Sequence, residues 1–432
     1  MMLTKRKLGE LLYVTRGASL SGEYFATQGD YMRLTCGNFD YQNNCFKSNT
    51  SKDNLYYTGN FNQEYLMEKD DIITPLTEQA IGLLGSTAWV PESGKYIQSQ
   101  DVAKITPNEK LLDKKFCYYL ISSKVVKQQL SAAAQQTKIR HTSPDKIKDC
   151  TVWIPSLEEQ TKIGQFLYDI DSKIALNRQI NDNLEAMARQ LYDYWFVQFD
   201  FPDENGRPYK SSGGKMKWNE RLKREIPIGW KVVSVNEIAN SVRGVTYKKE
   251  DLVDKNEGIL VLRGNNIQDN KLIYDSNVSY VPTKLVSEEQ HIKTKDIIMT
   301  MSSGSKEHIG KCVMFQDDSD ETYGAFLTKF SAFPKCKYLL YQLFNSLYFK
   351  EAIKSFAIGT GINNLTNSTF DNIYTVLPSD IVLSRFDEIE GYIYKGIGLL
   401  WSNSMKLTKL RDELLPLLMN GQATVNYHLS DD

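Results

Sequence analysis

The fold of this chain is decided by two stretches that align without a gap: FCYYLISSKVVKQQLSAAAQQTKIRHTSPDKIKDCTVWIP, residues 116–155, and LLYQLFNSLYFKEAIKSFAIGTGINNLTNSTFDNIYTVLP, residues 339–378. The second stretch repeats the apolar positions of one helical face, two positions of a polar loop and a closing proline. The matched pairs, at an offset of 223 residues, are Phe116/Leu339, Leu120/Leu343, Val125/Tyr348, Leu130/Ile353, Thr137/Thr360, Ile139/Ile362, Ile154/Leu377 and Pro155/Pro378.

Further matches precede this stretch, in the same order in both halves of the chain. They are Leu8-Gly9-Glu10-Leu11 with Val235-Asn236-Glu237-Ile238, Arg16-Gly17 with Arg243-Gly244, Gly37-Asn38-Phe39 with Asn265-Asn266-Ile267, and Asp71-Ile72-Ile73 with Asp296-Ile297-Ile298. Chance would produce single matches of this kind, but it would not keep all of them in order. We infer that the chain is an internal duplication.

Each half has the same predicted plan. Short β-like runs broken by turn residues come first, such as those at 96–98 and 259–262. The apolar spacing then predicts one amphipathic helix in each half, at about 114–134 and about 337–357. A polar loop and a last strand ending in proline complete each half, so the sequence predicts two mixed α+β domains.

A different pattern follows each closing proline. Residues 157–199 and 379–421 place apolar side chains at three- and four-residue spacing, and proline is absent from both until Pro416. This spacing is typical of a coiled-coil seam. We expect two long helices that pair as an antiparallel coiled coil, because a whole domain separates them; two helices packed on separate domains is the alternative. Such a pseudo-two-fold protein would hold two reading domains over the two halves of a DNA site.

Composition limits the classes of protein. The 432 residues are enough for two or three domains, and no apolar run approaches the roughly 20 residues that span a bilayer. The N-terminus lacks the apolar stretch of a signal peptide, which indicates a cytoplasmic protein. The six cysteines form no Cys-x-x-Cys pair, which argues against a zinc site and a disulfide framework.

The charge is distributed unevenly. The formal net charge is −1, unlike that of a strongly basic nucleic-acid-binding protein. Residues 124–148 nevertheless carry six basic side chains against one acid, and residues 205–224 carry seven against one. Either block could contact phosphates, and a merely solvated surface is an equally good interpretation of each block alone.

Several motifs resemble those of type I restriction–modification specificity subunits. Ile154-Pro155-Ser156-Leu157-Glu158-Glu159-Gln160-x-Lys162-Ile163 resembles the junction between recognition domain and helix in that family. Pro227-x-Gly229-Trp230 resembles the opening of the second recognition domain in that family. The end of its distal helix is resembled by Arg411-x-x-Leu414-Leu415-x-x-Leu418-x-x-Gly421-Gln422. The run from Arg189 to Phe196 resembles the central helix of one subgroup. The first half lacks the Pro-x-Gly-Trp opening, and the second junction has Ser379-Asp380 where the first has Ser156-Leu157-Glu158-Glu159.

The resemblance implies a domain plan and a set of partners. The plan is a first target-recognition domain at 1–156, a central helix at 157–199, a basic linker at 200–225, a second recognition domain at 226–378, a distal helix at 379–421 and a tail at 422–432. The implied partners are double-stranded DNA, two adenine-N6 methyltransferase subunits and an ATP-dependent restriction subunit. S-adenosylmethionine, ATP and Mg²⁺ would then be bound by those partner subunits and not by this chain.

Base reading requires paired donors and acceptors on loops of a rigid scaffold. The loop at 135–142 and its repeat mate at 359–366 occupy the same position but differ in chemistry, as two domains that read different half-sites would require. The candidate DNA-binding residues are Lys138, Arg140, His141, Arg16, Arg33, Arg243, Arg263, Lys306, Asn363 and Asn364. For Arg16 and Arg243 a structural turn with a salt bridge is at least as good an interpretation, and for Arg33 and Arg263 a surface strand position is the favoured one. The turn containing Lys306 is a weak signal of a phosphate-binding nest and could equally be a hairpin tip.

No motif points to catalysis. The chain has no Pro-Pro dipeptide, which an adenine methyltransferase motif would contain, and no phosphate-binding loop for ATP. The four histidines are not paired at metal spacing, and the acidic run at 317–321 is better interpreted as a solvated loop than as a cation site. A paired-domain DNA-binding scaffold that recruits a different effector, and an enzyme of unrecognised chemistry, remain as alternatives.

Overall fold

The computed structural model describes residues 2–49, 53–78, 82–133, 140–268, 270–274, 278–304, 308–356 and 363–425. The chain divides into two compact units, and the division falls inside both long helices. Unit 1 comprises Met1–Leu176 and Asn403–Asp432, and unit 2 comprises Asn177–Ser402. We call residues 1–156 the first repeat and residues 226–378 the second repeat; the first repeat lies in unit 1 and the second in unit 2.

The first repeat is built around a four-stranded antiparallel sheet. One of its two inner strands, Ile72–Pro75, is buried throughout. The strand order is Ala88–Trp89, Ile72–Pro75, Val102–Pro107, Leu12–Arg16. A second sheet has the order Tyr96–Ile97, Tyr31–Arg33, Tyr56–Tyr57, Phe25–Ala26, and shorter ribbons pair Phe39–Asp40 with Cys45–Phe46, Thr77–Glu78 with Arg140–His141, and Thr4–Lys7 with Thr151–Ile154.

The second repeat has the same strand order in its central sheet and the same three ribbons, whereas its other sheet has three strands where the first repeat has four. Its four-stranded sheet has the order Ala239–Arg243, Leu327–Ala332, Ile297–Thr300, Cys312–Met314. A three-stranded sheet has the order Tyr280–Val281, Ile259–Leu262, Thr322–Tyr323, and ribbons pair Ile267–Gln268 with Lys271–Leu272, Ser302–Ser303 with Asn363–Asn364, and Lys231–Ser234 with Tyr374–Leu377. The corresponding strands are neighbours in both repeats, so the duplication inferred from the sequence is confirmed.

The prediction of one amphipathic helix in each repeat is wrong, because each is a pair of helices. The first pair is α1, Lys114–Ile121, and α2, Lys124–Ala133, and a short helix α3, Pro144–Lys148, follows. The second pair, numbered after the central helix α4, is α5, Lys337–Asn345, and α6, Leu347–Phe356. Serine hydroxyls end the first member of each pair: Ser122 bonds to the carbonyls of Tyr118 and Tyr119, and Ser346 to that of Leu343.

The long helices begin where the closing strands end. Helix α4 spans Leu157–Tyr192, and a π-helical turn continues it over Asp193–Val197. Helix α7 spans Asp380–Met419. Gln160 explains part of the junction motif, because this buried side chain accepts a hydrogen bond from the Asp113 backbone N–H and donates to the carbonyls of Leu111 and Pro155. It thus fixes the start of α4 to the loop that leads into α1.

The two long helices contact each other within each unit. In unit 2, Asn181 Nδ2 lies 3.4 Å from the carbonyl oxygen of Ile397, and the Phe196 ring centroid lies 4.7 Å from that of Phe386. The contact made by the later residue, Phe196 in the π-helical continuation of α4, is with the earlier residue of α7, Phe386, so the two helices are antiparallel there. In unit 1, a guanidinium nitrogen of Arg411 lies 2.8 Å from a carboxylate oxygen of Asp171. Coiled-coil packing over the whole length stays a prediction.

An aromatic cluster surrounds Trp230, from the Pro-x-Gly-Trp motif. The Trp230 ring centroid lies 4.8 Å from that of Phe201, 5.6 Å from that of Phe199 and 5.7 Å from that of Phe196. Gly229 permits the turn before the tryptophan, because its φ of 90° favours glycine. The predicted basic linker at 200–225 contains the strand Met216–Asn219, which pairs with Arg224–Pro227.

Candidate nucleic-acid interface

The polar loops singled out in the sequence end in equivalent ribbons. In the first repeat Arg140 pairs with Glu78 and His141 with Thr77. In the second repeat Asn363 pairs with Ser303 and Asn364 with Ser302. The hydrogen bond that follows each ribbon is also the same, from the Thr142 N–H to the Leu76 carbonyl and from the Leu365 N–H to the Met301 carbonyl, at 2.8 Å in both. The described end of each candidate loop therefore pairs with an equivalent short strand, at 77–78 in the first repeat and at 302–303 in the second.

Arg140 contacts two other segments of the first repeat through its guanidinium group. One of its guanidinium nitrogens lies 3.2 Å from a carboxylate oxygen of Glu78, and the side chain of Arg140 is 20% exposed. The other terminal nitrogen donates to the Ser131 carbonyl and lies 2.9 Å from the Ser131 hydroxyl. A guanidinium held in this way favours a structural role over a direct base contact, although DNA binding by Arg140 stays a prediction.

The other candidate residues of these loops are His141, Asn363, Asn364, Lys138 and Lys306. His141 is exposed beside Arg140. The backbones of Asn363 and Asn364 form the equivalent strand of the second repeat, while their side-chain surroundings are not described. Lys138 and Lys306 lie outside the described residues.

Arg16 and Arg243 occupy equivalent exposed positions and make the same contact. Arg16 Nε lies 2.8 Å from the carbonyl oxygen of Gln100, and Arg243 Nε lies 2.9 Å from that of Ala325. The glycine after each arginine has a steric cause, because a Cβ on Gly17 would lie 2.2 Å from the Gln98 carbonyl oxygen. The matching distance in the second repeat, from a Cβ on Gly244 to the Gly324 carbonyl oxygen, is 2.3 Å. The Arg-Gly repeat is thus a backbone-packing motif that presents an arginine at the surface.

Arg33 and Arg263 are half-buried, unlike the previous pair. The Arg33 guanidinium stacks on the Phe25 ring at 3.9 Å and donates to the Asn54 carbonyl. Burial lowers the pKa of Arg33, and the charge of Asp101 opposes this effect. Arg263 precedes a short turn in which its backbone N–H donates to the side chain of Asn266. The half-buried, stacked side chain of Arg33 therefore differs from the surface strand position that the sequence favoured, and DNA binding by either arginine stays a prediction.

Two ion pairs were not predicted from the sequence. Lys104 Nζ lies 2.7 Å from a carboxylate oxygen of Asp71, and Lys329 Nζ lies 3.3 Å from one of Asp296. Each pair joins two neighbouring strands of a central sheet. The recurrence of Asp-Ile-Ile was a usable signal, but the lysine partners lie 33 residues further along the chain and carry no local motif.

Carboxylates of the acidic run at 317–321 accept hydrogen bonds from neighbouring residues. A carboxylate oxygen of Asp318 accepts hydrogen bonds from both the N–H and the hydroxyl of Thr294, and Glu321 accepts one from Ser319. In the described part of the chain, no group of three or more His, Cys, Asp or Glu residues is arranged to hold a metal ion. Among the described residues, no helix is long and apolar enough to cross a membrane.

The comparisons with known proteins agree with one another. The chain is 30% identical over 209 residues to the type I restriction enzyme StySPI specificity subunit of Salmonella potsdam, a match that covers 46% of this chain and 44% of that protein. It is 26% identical over 334 residues to the MjaIX specificity subunit of Methanocaldococcus jannaschii, covering 76% of this chain and 73% of that protein. The chain therefore spans less than half of the first relative and about three quarters of the second.

A solved structure resembles the fold over nearly the whole chain. It is the type I restriction–modification system S subunit from M. genitalium, which superposes with a TM-score of 0.57 at 17% identity and with 97% of this chain and 96% of that chain covered. The sequence model of the family described as type I restriction modification DNA specificity domain matches residues 3–186 and 227–380. Relatives named as specificity subunits agree with the prediction of a non-catalytic subunit. Because the family model covers both repeats and most of the chain, this protein belongs to the type I restriction–modification DNA specificity family.

Proposed function

We propose that each repeat reads one half of a bipartite DNA site, and that the long helices dock adenine-N6 methyltransferase subunits. The observation that carries the proposal is one topology used twice with different side chains on the equivalent ribbons. The first ribbon carries Glu78 and Arg140, and the second carries Ser303 and Asn363 at the same register. Two different half-sites require different donors and acceptors on a common framework.

Residues that are the same in both repeats have a different role under this proposal. Arg16 and Arg243 make the same backbone contact, so they cannot distinguish one half-site from the other. Phosphate contacts, which carry no sequence information, are the interaction that both repeats would share. The formal net charge of −1 leaves a large part of phosphate neutralisation to partner subunits.

Partner docking is supported by apolar side chains that α7 exposes. In unit 2, Tyr392 is 70% exposed and Leu399 is 65% exposed, seven residues apart on one helical face. Exposed aromatic and aliphatic groups in such a row are typical of a protein contact. S-adenosylmethionine would be bound by the methyltransferase subunits, and ATP and Mg²⁺ by an ATP-dependent restriction subunit, in a cytoplasmic complex.

The proposal is tested by expressing this chain with the adenine methyltransferase encoded beside it, in a host that lacks both. Methylated adenines are mapped by single-molecule sequencing. We expect a split motif with an unspecified spacer, and no methylation when either protein is omitted. A stable complex that methylates nothing would favour the paired-domain scaffold, and turnover of DNA by this chain alone would favour an enzyme.

Replacing Arg16 or Arg243 by alanine is expected to weaken DNA binding about equally for all sequences. Each replacement should reduce the slope of log K against log salt concentration by about 1, because one phosphate contact is lost. Binding of the complex with the methyltransferase is measured from 50 to 200 mM salt (about the range in which such slopes are resolved). Lys110→Ala is the control and should leave the slope unchanged, because Lys110 is exposed in the first repeat beyond the end of the strand pair opposite to Arg16. A change confined to one half-site would instead make the arginine a base reader.

A further inference from the structure

A buried carboxylate joins the loop strands of the first repeat. The Glu78 side chain is 1% exposed, and one of its oxygens accepts hydrogen bonds from the backbone N–H groups of Gly82, Leu83 and Leu84 at 3.1, 3.0 and 3.0 Å. The other oxygen faces the Arg140 guanidinium at 3.2 Å. A charge removed from water requires such partners, so Glu78 fixes the segment 82–84 and the strand at Arg140 relative to each other.

Arg140 extends this connection to a helix. It bonds to the hydroxyl and carbonyl of Ser131, in the last turn of α2, where a cation also compensates the partial negative charge of the helix end. Lys146 Nζ donates to the Ala133 carbonyl at the same helix end, 2.8 Å away. Three separate parts of the first repeat therefore meet at one ion pair.

The residues at the two equivalent positions of the second ribbon are uncharged. Ser303 stands where Glu78 stands, and Asn363 stands where Arg140 stands. Neither replacement residue is ionisable at neutral pH. The backbone hydrogen bond next to the ribbon, from Thr142 to Leu76 in the first repeat and from Leu365 to Met301 in the second, is the same in both repeats. The pairing of the two strands therefore does not require the charges. The ion pair is thus an addition specific to the first repeat.

The contacts of Arg140 inside the repeat leave few of its N–H groups available for DNA. Both terminal nitrogens are already engaged inside the repeat, and a bidentate contact to a guanine would need two free N–H groups. His141, next in the strand and paired with Thr77, is exposed. The geometry suits a pair that positions neighbouring groups and does not itself read bases.

We propose that the Glu78–Arg140 ion pair is the positioning element that sets base selectivity in the first repeat, whereas the second repeat has the uncharged residues Ser303 and Asn363 at the equivalent positions. The inference rests on the proposed function, because it concerns how one of two half-sites is read. It assigns Arg140 a positioning role in place of a base contact. Disturbing the pair should therefore relax the whole of one half-site and leave the other half unchanged.

The test uses Glu78→Gln and Arg140→Lys in the complex with the methyltransferase. Glutamine keeps an oxygen for the three N–H groups and removes the charge, and lysine keeps the charge but cannot bridge Glu78 and Ser131 together. Methylation is compared between the intact site and sites carrying one altered base, for each half separately. We expect discrimination to fall by about tenfold at several positions of one half-site in both variants, with the other half unchanged.

Asp71→Asn is the matched control, because it breaks the ion pair to Lys104 in the central sheet of the same repeat. It should reduce the amount of folded complex, measured by hydrogen exchange, without changing discrimination. Two results would overturn the inference: lost discrimination at a single base in Arg140→Lys alone, which would make Arg140 a reader, or reduced methylation of all sites with unchanged discrimination. Absence of methylation by the unaltered complex would contradict the proposed function and is distinguishable from both.

Discussion

Replacing Trp230 by alanine is expected to lower the free energy of unfolding of unit 2 by about 3–5 kcal/mol. Trp230 is 4% exposed and contacts three phenylalanines, so truncation removes a large apolar side chain and leaves a cavity that the surrounding rings cannot close completely. The measurement is native-state hydrogen exchange on the strand Tyr374–Leu377, which belongs to the same unit. Exchange reports this unit separately and does not assume that the whole chain unfolds in one step.

Trp218 provides the matched control for this substitution. It lies in the strand Met216–Asn219, which pairs with the strand that leads into the Pro-x-Gly-Trp motif, and it is 55% exposed. Trp218→Ala should therefore change the free energy derived from the same exchange rates by less than about 0.5 kcal/mol. Equal effects of the two substitutions would contradict the role given to the aromatic cluster. A large effect of Trp230→Ala would explain in physical terms why the Pro-x-Gly-Trp motif stands at the opening of the second repeat.

The order of the main strands and helices could be predicted from the sequence because it occurs in both repeats. Offsets between matching residues located the closing strands and the start of each long helix, and the Asp-Ile-Ile matches located the central strand of each four-stranded sheet. Gly17 and Gly244 were also visible as a repeated pair, although only the structure shows the close backbone approach that requires them. A duplication makes element boundaries predictable because chance rarely puts the same pattern at the same place in both copies.

The remaining features depend on contacts between residues that are distant along the chain. The break after α1 was missed because Ser122 and Ser123 interrupt a helical pattern without proline or glycine. The role of Arg140 could not be predicted, because its partner Glu78 lies 62 positions earlier in the chain. Periodicity predicts which face of an element is buried, but it does not identify the partner of a single charge.

Glu390 leads to a second large effect, which depends on pH. This side chain of α7 is fully buried, and one carboxyl oxygen accepts a hydrogen bond from Gln342 Nε2 at 3.0 Å. The pKa of Glu390 is raised to about 8, mainly by burial and to a smaller extent by the negative charge of Asp387, against the opposing effect of the hydrogen bond from Gln342. Asp387 is itself 2.7 Å from Lys337 Nζ, so its charge is partly compensated.

The sign of the effect follows from proton binding. Between the ordinary glutamate pKa of 4.5 and about 8, the folded protein binds more protons at Glu390 than the unfolded chain does, so stability falls as pH rises through this window. Glu390→Gln removes the titrating group and keeps its size. The stability of the variant relative to the parent should therefore rise by up to about 1.4 kcal/mol per pH unit within the window and level off above it.

Denaturation of both proteins at half-unit steps between about pH 5 and pH 9 measures this difference, in the range where the raised pKa places it. Glu388→Gln, an exposed change two residues earlier in the same helix, should give a difference below about 0.5 kcal/mol at every pH. A difference between Glu390→Gln and the parent that stays constant across the window would mean that Glu390 is ionised in the folded protein. The expected curve would instead show that α7 is fastened to α5 through a protonated carboxyl group at neutral pH, because Gln342 lies in α5 and Glu390 in α7.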